Sequence, residues 1–332
     1  MKEGDIRPQK LFNEYLALAR KDIQIFFGDK DTFVEVDCPA CGAKGGQTAL
    51  KKLGFSYKSC LDCESLYLSP RPTESMINNY YQKGESVKFW STRFYRETEE
   101  ARRLKIYRPR AEYIDNLFRE NPGWGKDQLV DVGAGYGIFL EEISRLNLFS
   151  NALGVEPAPN MAATCKGKGL SVLESPVEMI NENDILADFA TSFEVFEHVY
   201  SPEKFLKSVQ KILKPKGVFL FTTLTIDGFD LQVLWDESKS IYPPHHINLI
   251  SKNGIKCLLN TCGFNLVEIR TPGQLDVDIV LNAAHEKKDL KLSRFVRHLI
   301  EKVDDEVRDA FQVFLQENLL SSHVMVIAQK KI

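Results

Sequence analysis

Two Cys-x-x-Cys pairs, Cys38-Pro39-Ala40-Cys41 and Cys60-Leu61-Asp62-Cys63, stand 18 residues apart. Each pair sets two sulfurs on one tight turn, and four thiolates at this spacing suit a tetrahedral zinc ion, leaving no coordination position open for catalysis. A redox dithiol and a metal-free set are the competing readings; a structural zinc knuckle is the expectation. Glu194, Glu197 and His198 form a second constellation at i, i+3 and i+4, where a helical turn would place all three on one face. With His246 added, two carboxylates and two imidazoles suit magnesium, manganese or another first-row ion that binds a hydroxyl and lowers its pKa. The plainer reading has His198 merely bracing a bound cofactor or the helix. His245 and His246 lie on a Pro-rich loop, and a histidine titrating near neutrality can also remove an acceptor proton unaided.

The run Asp131-Val132-Gly133-Ala134-Gly135-Tyr136-Gly137 joins a buried strand to a helix start. Only glycines let a backbone approach a bound ligand so closely. Glu156, followed by Pro157, ends the next strand 25 residues after Asp131, where a carboxylate accepts hydrogen bonds from ribose hydroxyls. Spacing alone does not separate adenosylmethionine from NAD, and a tight structural turn is the plain alternative.

These residues need elements to hold them. Apolar spacing predicts an amphipathic helix over 8–29, a β-rich knuckle over 33–69, and a helix capped by Thr73. A further helical region over about 88–119 reads as a lid, in which Tyr80, Tyr81, Trp90 and Tyr95 serve packing rather than substrate stacking. After the breaker Asn121-Pro122-Gly123-Trp124-Gly125, strands at 129–133, 152–155, 171–173, 189–193 and 218–223 alternate with helices, which builds a parallel sheet. The strand at 189–193 is expected to open directly into a helix. Helix 251–262 and strands 264–270 and 322–329 complete the set, with a helical insertion over about 274–320. The domain reading is 1–37 helical segment, 38–70 zinc-binding module, 71–120 lid and 121–332 main domain.

The 332 residues carry 43 Lys and Arg against 46 Asp and Glu, and no long basic run, which speaks against a nucleic-acid partner. No stretch approaches the roughly 20 apolar residues that cross a bilayer, and Met1–Lys10 lacks the apolar core of a secretion signal, so the expected location is the cytoplasm, without membrane insertion. Oligomeric state is not readable.

The runs LVDVGAGYGIFL, LGVEP, FEVFEHVYSPEKFLKSVQKILKPKGVFLFTT and NGIKCLLNTCGFNLVEI resemble the class I S-adenosylmethionine-dependent methyltransferases over 129–270 and again over 322–330. The resemblance implies a doubly wound α/β, Rossmann-like fold with a seven-stranded, mostly parallel sheet whose last strand is antiparallel. It also implies that the glycine turn Asp131 to Gly137 holds the methionine part, Glu156 the ribose, and Glu174, Ser175 and Val177 the adenine, with Phe193 close by. The segment YKSCLDCESLYLSPRPTESMINNYY is similar to the zinc-knuckle-to-lid segment of bacterial methyltransferases that modify sugar nucleotides and surface glycans. In the sugar C-methyltransferases of that group the histidine matching His246 is the proposed base, preceded by a glutamate where this chain has His245. The Glu194, Glu197, His198 pattern resembles the metal-assisted O-methyltransferases of ubiquinone biosynthesis and of small-RNA end methylation. The expected activity is therefore methyl transfer from S-adenosylmethionine to a small-molecule acceptor, a sugar-nucleotide or glycan hydroxyl, with His246 as base or metal ligand. A sugar C-methyltransferase and an RNA methyltransferase are the alternatives.

Overall fold

The computed structural model describes residues 1–181 and 184–332. Its central sheet has seven strands, numbered here in chain order: β1 Gln128–Val132, β2 Asn151–Val155, β3 Val172–Leu173, β4 Ala187–Phe193, β5 Leu213–Leu224, β6 Phe264–Arg270 and β7 His323–Lys330. They lie side by side in the order β6-β7-β5-β4-β1-β2-β3. Strand β7 runs antiparallel to β5 and β6, and the other neighbouring pairs are parallel. Leu129, Val130, Phe189, Ala190, Phe219 and Leu220 are all buried, because helices cover both faces of a parallel sheet. This is the class I methyltransferase, Rossmann-like architecture. The chain order reverses beside β1, with β2 on one side and β4 on the other, so the carboxyl ends of β1 and β4 open onto the crevice where such sheets bind ligands.

Two local expectations need correction. β5 begins at Leu213, not 218, because Leu213 already pairs with Ala187, and the Lys214-Pro215-Lys216-Gly217 turn falls inside the strand as an irregularity with Lys216 at φ +63°. No helix follows β4 directly; one hydrogen-bonded turn forms, in which the His198 amide donates to the Val195 carbonyl at 2.9 Å.

The cysteine segment builds an antiparallel sheet from Gln47–Lys52, Phe55–Ser59 and Leu66–Leu68. Leu53 and Gly54, at φ +50° and +79°, make the two-residue turn that suits a twisted hairpin. The fourth strand, Asn248–Leu249, comes from the distant loop that carries His246, and pairs with Leu66 and Tyr67. Helix Gln9–Phe26 buries Leu11, Phe12, Tyr15, Leu16 and Ala19. Helix Glu74–Lys83 is capped by the Thr73 hydroxyl, and a helical run from Glu85 to Glu120 follows, with π-helical stretches at Trp90–Phe94 and Arg103–Tyr107. Arg103 and Arg108 fasten this run to the main domain through Glu142, at 2.9 and 2.8 Å. The 274–320 region holds helices Asp276–Glu286, Arg294–Glu301 and Asp305–Glu317. Among the described residues, no helix is long and apolar enough to cross a membrane.

Candidate active site

The glycine turn closes β1 with Gly133, Gly135 and Gly137 at φ +80°, +55° and +70°, which side-chain-bearing residues rarely adopt. A Cβ on Gly133 would collide with the Val195 side chain, and one on Gly137 with Leu170, so the turn is packed tightly from both sides. Asp131 is buried, accepts a hydrogen bond from Thr191 Oγ1 at 2.8 Å, and is pushed up to about 7 by burial. The Glu156 carboxylate accepts from the Gly135 and Ala158 amides at 2.8 and 2.9 Å; burial raises its pKa and these two bonds oppose the rise. Two amides leave lone pairs on a carboxylate that can take about four hydrogen bonds. Ala134 is buried and Pro157 exposed beside Glu156. Glu174 is exposed and pairs with Lys166 at 3.3 Å, Ser175 is half-buried, and Val177 packs in the core. The lid lies directly over the turn: Tyr95 stacks on Tyr136 at 4.9 Å, and Asn160 Nδ2 donates to Ser91 Oγ at 2.9 Å.

After β4, a ligand atom from each of Glu197, His198 and His246 falls within 4.8 Å of the other two. His198 Nδ1 lies 2.9 Å from the His245 carbonyl, and His246 Nδ1 lies 2.5 Å from the Ser240 carbonyl. A ring nitrogen against a carbonyl carries the proton, so each imidazole keeps its lone pair on Nε2, the arrangement in which protein histidines bind metals. Burial lowers the pKa of His198, and lowers that of His246 to about 3. Both rings are therefore neutral near pH 7, which suits ligands and makes His246 a weak unaided base. Glu197 accepts from Thr223 Oγ1 at 2.8 Å and is raised to about 8 by burial and then by Glu194. A buried carboxyl facing two lone pairs is the donor set a divalent cation would complete.

Glu194 does not join this cluster. At φ +56° it precedes the turn instead of sharing its face, and its carboxylate is taken by Arg110 at 2.9 Å, His323 Nε2 at 2.5 Å and Thr222 at 2.7 Å. Partners on three elements hold its pKa well below the ordinary value against the cost of burial. His245, the other histidine of the loop, is buried, and its Nε2 is held by the Tyr15 hydroxyl at 3.0 Å and by the Tyr80 hydroxyl. It anchors the loop that presents His246.

Arg110 and His323 were missed in the sequence, Arg110 because it reads as one of several basic residues at helical spacing, His323 because it opens a strand far along the chain. The Arg110 guanidinium lies 4.7 Å over the Phe193 ring, and its Nη1 is buried without a hydrogen-bond partner among the described residues.

The four cysteines converge as their spacing predicts. Cys38 Sγ and Cys63 Sγ are 3.6 Å apart, Cys41 Sγ and Cys60 Sγ 3.5 Å, and all four sulfurs lie within 4.8 Å of one another. Zinc–sulfur bonds of about 2.3 Å imply a tetrahedron edge of about 3.8 Å, so the set fits zinc. The two knuckles repeat one geometry: the amides of Gly42 and Glu64 donate to the carbonyls of Cys38 and Cys60, and both residues are left-handed. The cluster connects to the Glu-His site through its sheet. The Tyr57 hydroxyl donates to the His246 carbonyl at 2.7 Å, and the Leu68 amide to the Ile247 carbonyl at 2.9 Å.

Residues 96–269 match a family model described as a methyltransferase domain. Among curated proteins, the mitochondrial ubiquinone biosynthesis O-methyltransferase of Dictyostelium discoideum is 33% identical over 112 residues, covering 29% of this chain and 35% of the relative. The ubiquinone biosynthesis O-methyltransferase of Colwellia psychrerythraea is 28% identical over 151 residues, covering 40% and 61%. The chain thus spans less than two thirds of the length of either relative. Among solved structures, the plantazolicin methyltransferase BpumL in complex with SAH aligns with a TM-score of 0.49 at 13% identity, covering 77% of this chain and 94% of that one. Since the family match takes in more than half of the 332 residues, the chain belongs to the methyltransferase domain family.

Proposed function

We propose that this protein transfers a methyl group from S-adenosylmethionine to a hydroxyl of a small-molecule acceptor, and that Glu197, His198 and His246 hold a divalent cation, magnesium or manganese, at the acceptor oxygen. The observation that carries the reading is the convergence of one buried carboxyl and two neutral imidazoles whose Nδ1 protons are spent on backbone carbonyls. A divalent cation there would supply Lewis acidity that lowers the pKa of the acceptor hydroxyl. The chain's own residues do the positioning. Glu156 takes the ribose hydroxyls, and the glycine turn admits the methionine part against the backbone. The free Nη1 of Arg110, fixed beside Phe193 by Glu194, offers a donor to the cofactor carboxylate. The lid run over the turn keeps bulk water from the sulfonium. The names of the ubiquinone-biosynthesis relatives favour oxygen over carbon as the methylated atom.

For the acceptor class, the resemblance of the cysteine-to-lid segment supports a sugar nucleotide or glycan precursor. The four cysteines are read as a structural zinc site. Titration of manganese into zinc-replete protein, followed by its electron paramagnetic resonance, tests the metal reading: one site is expected, lost in His246→Ala, while calorimetric binding of S-adenosylhomocysteine persists. Cofactor binding without any manganese site would reject the metal; absence of cofactor binding would reject methyl transfer altogether.

A further inference from the structure

A cavity of about 560 Å³ opens between the cysteine sheet, the segment that leaves β5 and the first turn of helix Lys252–Thr261. It shares no lining residue with the glycine turn or with Glu197, His198 and His246. Its size falls within the range of small-molecule sites, about 300–1,000 Å³. Trp235 stands on its wall. This residue follows helix Phe229–Leu234 at φ +48° and ψ −117°, outside the regions that a residue with a side chain ordinarily adopts. Glycine takes up that conformation freely, whereas a bulky residue is strained there, and such outliers cluster where ligands are held. Half-buried, Trp235 packs against the apolar cluster that holds Ile226 and Leu231 and at the same time lines the cavity.

The polar groups around it have unused capacity. Asp227 Oδ2 accepts from the Lys252 amide at 2.8 Å and from Thr225 Oγ1 at 3.2 Å, while Oδ1 has no partner among the described residues. Gln232 Nε2 donates to the Ile226 carbonyl at 2.8 Å, which leaves its amide oxygen open. The side chains of Glu64 and Asn253 have no hydrogen-bond partner among the described residues. The Lys252 ammonium lies 3.9 Å from Asp227 and donates to the Leu319 carbonyl. Two carboxylates against one ammonium give the wall a net negative charge, which disfavours a phosphate or carboxylate ligand. A cation is not held there either, since among the described residues Glu64 and Asp227 belong to no converging set of metal ligands. The remaining class is a neutral molecule rich in hydroxyls. Each hydroxyl can donate to a carboxylate or amide oxygen and accept from an amide nitrogen, and the C–H face of a sugar ring lies flat against an aromatic ring.

We infer that this cavity is a saccharide-binding site, in which Trp235 stacks on a sugar ring and Asp227, Glu64, Gln232 and Asn253 take its hydroxyls. Sharing no residue with the methyl-transfer cleft, the site stands independently of that reading. Saturation-transfer NMR on the full-length, zinc-replete protein tests it, with cellobiose, lactose, mannobiose and chitobiose as probes. At least one should bind saturably with a Kd of about 0.1–10 mM. Trp235→Leu should weaken that disaccharide by about 10-fold or more and Asn253→Ala by about 3- to 10-fold, the effects of losing an aromatic anchor and a neutral hydrogen bond. Asn253→Ala should leave the thermal midpoint unchanged, because that side chain holds nothing else, and it decides the matter if Trp235→Leu does not fold. Phe295→Ala, which removes a 66%-exposed ring from the 274–320 helices, should have no effect. No binding by the wild-type protein, undiminished binding by either folded variant, or an equal loss in Phe295→Ala overturns the inference. Saccharide binding without S-adenosylhomocysteine binding would reject methyl transfer and keep the site; the reverse would reject the site and keep methyl transfer.

Discussion

Tyr57→Phe removes one oxygen atom from the cysteine sheet and tests whether that sheet sets the position of His246. The Tyr57 side chain is fully buried and its hydroxyl donates to the His246 carbonyl at 2.7 Å. A typical intramolecular hydrogen bond contributes about 1 kcal/mol, and leaving a partly buried carbonyl unpaired sets the cost at about 1–2 kcal/mol. The main-chain pairing of Leu66 and Tyr67 with Leu249 and Asn248 survives the substitution, so the loop stays docked. The lost energy falls on the rotation and height of the His246 peptide. If that loss is spent on placing the ring, affinity for manganese falls by about 5- to 30-fold, taking 1–2 kcal/mol as the effective share. Global stability should fall by a similar amount, about 2–8 °C in thermal midpoint. Electron paramagnetic resonance titration of manganese, with zinc content and S-adenosylhomocysteine affinity measured on the same sample, separates the cases. Unchanged manganese affinity alongside a lowered midpoint would show that the hydroxyl only stabilises the fold, and the coupling argued here would be wrong.

The raised pKa of Glu197, about 8, gives manganese binding a pH dependence. The cation needs the carboxylate, so affinity should rise by about 50-fold from pH 6 to pH 8 as the ionised fraction grows from about one in a hundred to one half. The sign is opposite for the metal-free fold: the unfolded chain releases this proton near the ordinary value of 4.5, so Glu197 makes the fold less stable as pH rises from there toward 8. Calorimetry in buffers of different ionisation enthalpy counts the released proton, and a flat profile would remove Glu197 from the ligand set. Gly133→Ala forces a Cβ into Val195 at φ +80°, which should cost about 1–3 kcal/mol of stability and weaken both S-adenosylhomocysteine and manganese, since Val195 opens the turn that carries Glu197. Thermal denaturation and the two titrations read this directly; loss of cofactor affinity alone would show that the two sites are not linked through Val195.

Much of this protein was legible in its sequence because the signals were local. The strand, glycine turn and helix around Asp131 to Gly137 follow from hydrophobic runs and from positive φ angles that glycines accept easily. The cysteine cluster follows from two short knuckles whose sulfurs have little room to lie elsewhere once the hairpin between them closes. Thr73 caps the helix that begins beside it, as its side chain dictates. What the sequence could not decide was where side chains from separate elements meet. Glu194 reads as a helical neighbour of Glu197, yet a left-handed φ and hydrogen bonds with Arg110 and His323, brought in from the lid and from β7, turn it away. His245 and His246 are adjacent and chemically identical, and only the packing of Tyr15 and Tyr80 against the first ring leaves the second to face Glu197 and His198. The strand that completes the cysteine sheet is donated from nearly two hundred residues away, a long-range pairing with no local pattern to announce it. Spacing along the chain fixed the chemistry that is available; long-range packing decided which of those groups face one another.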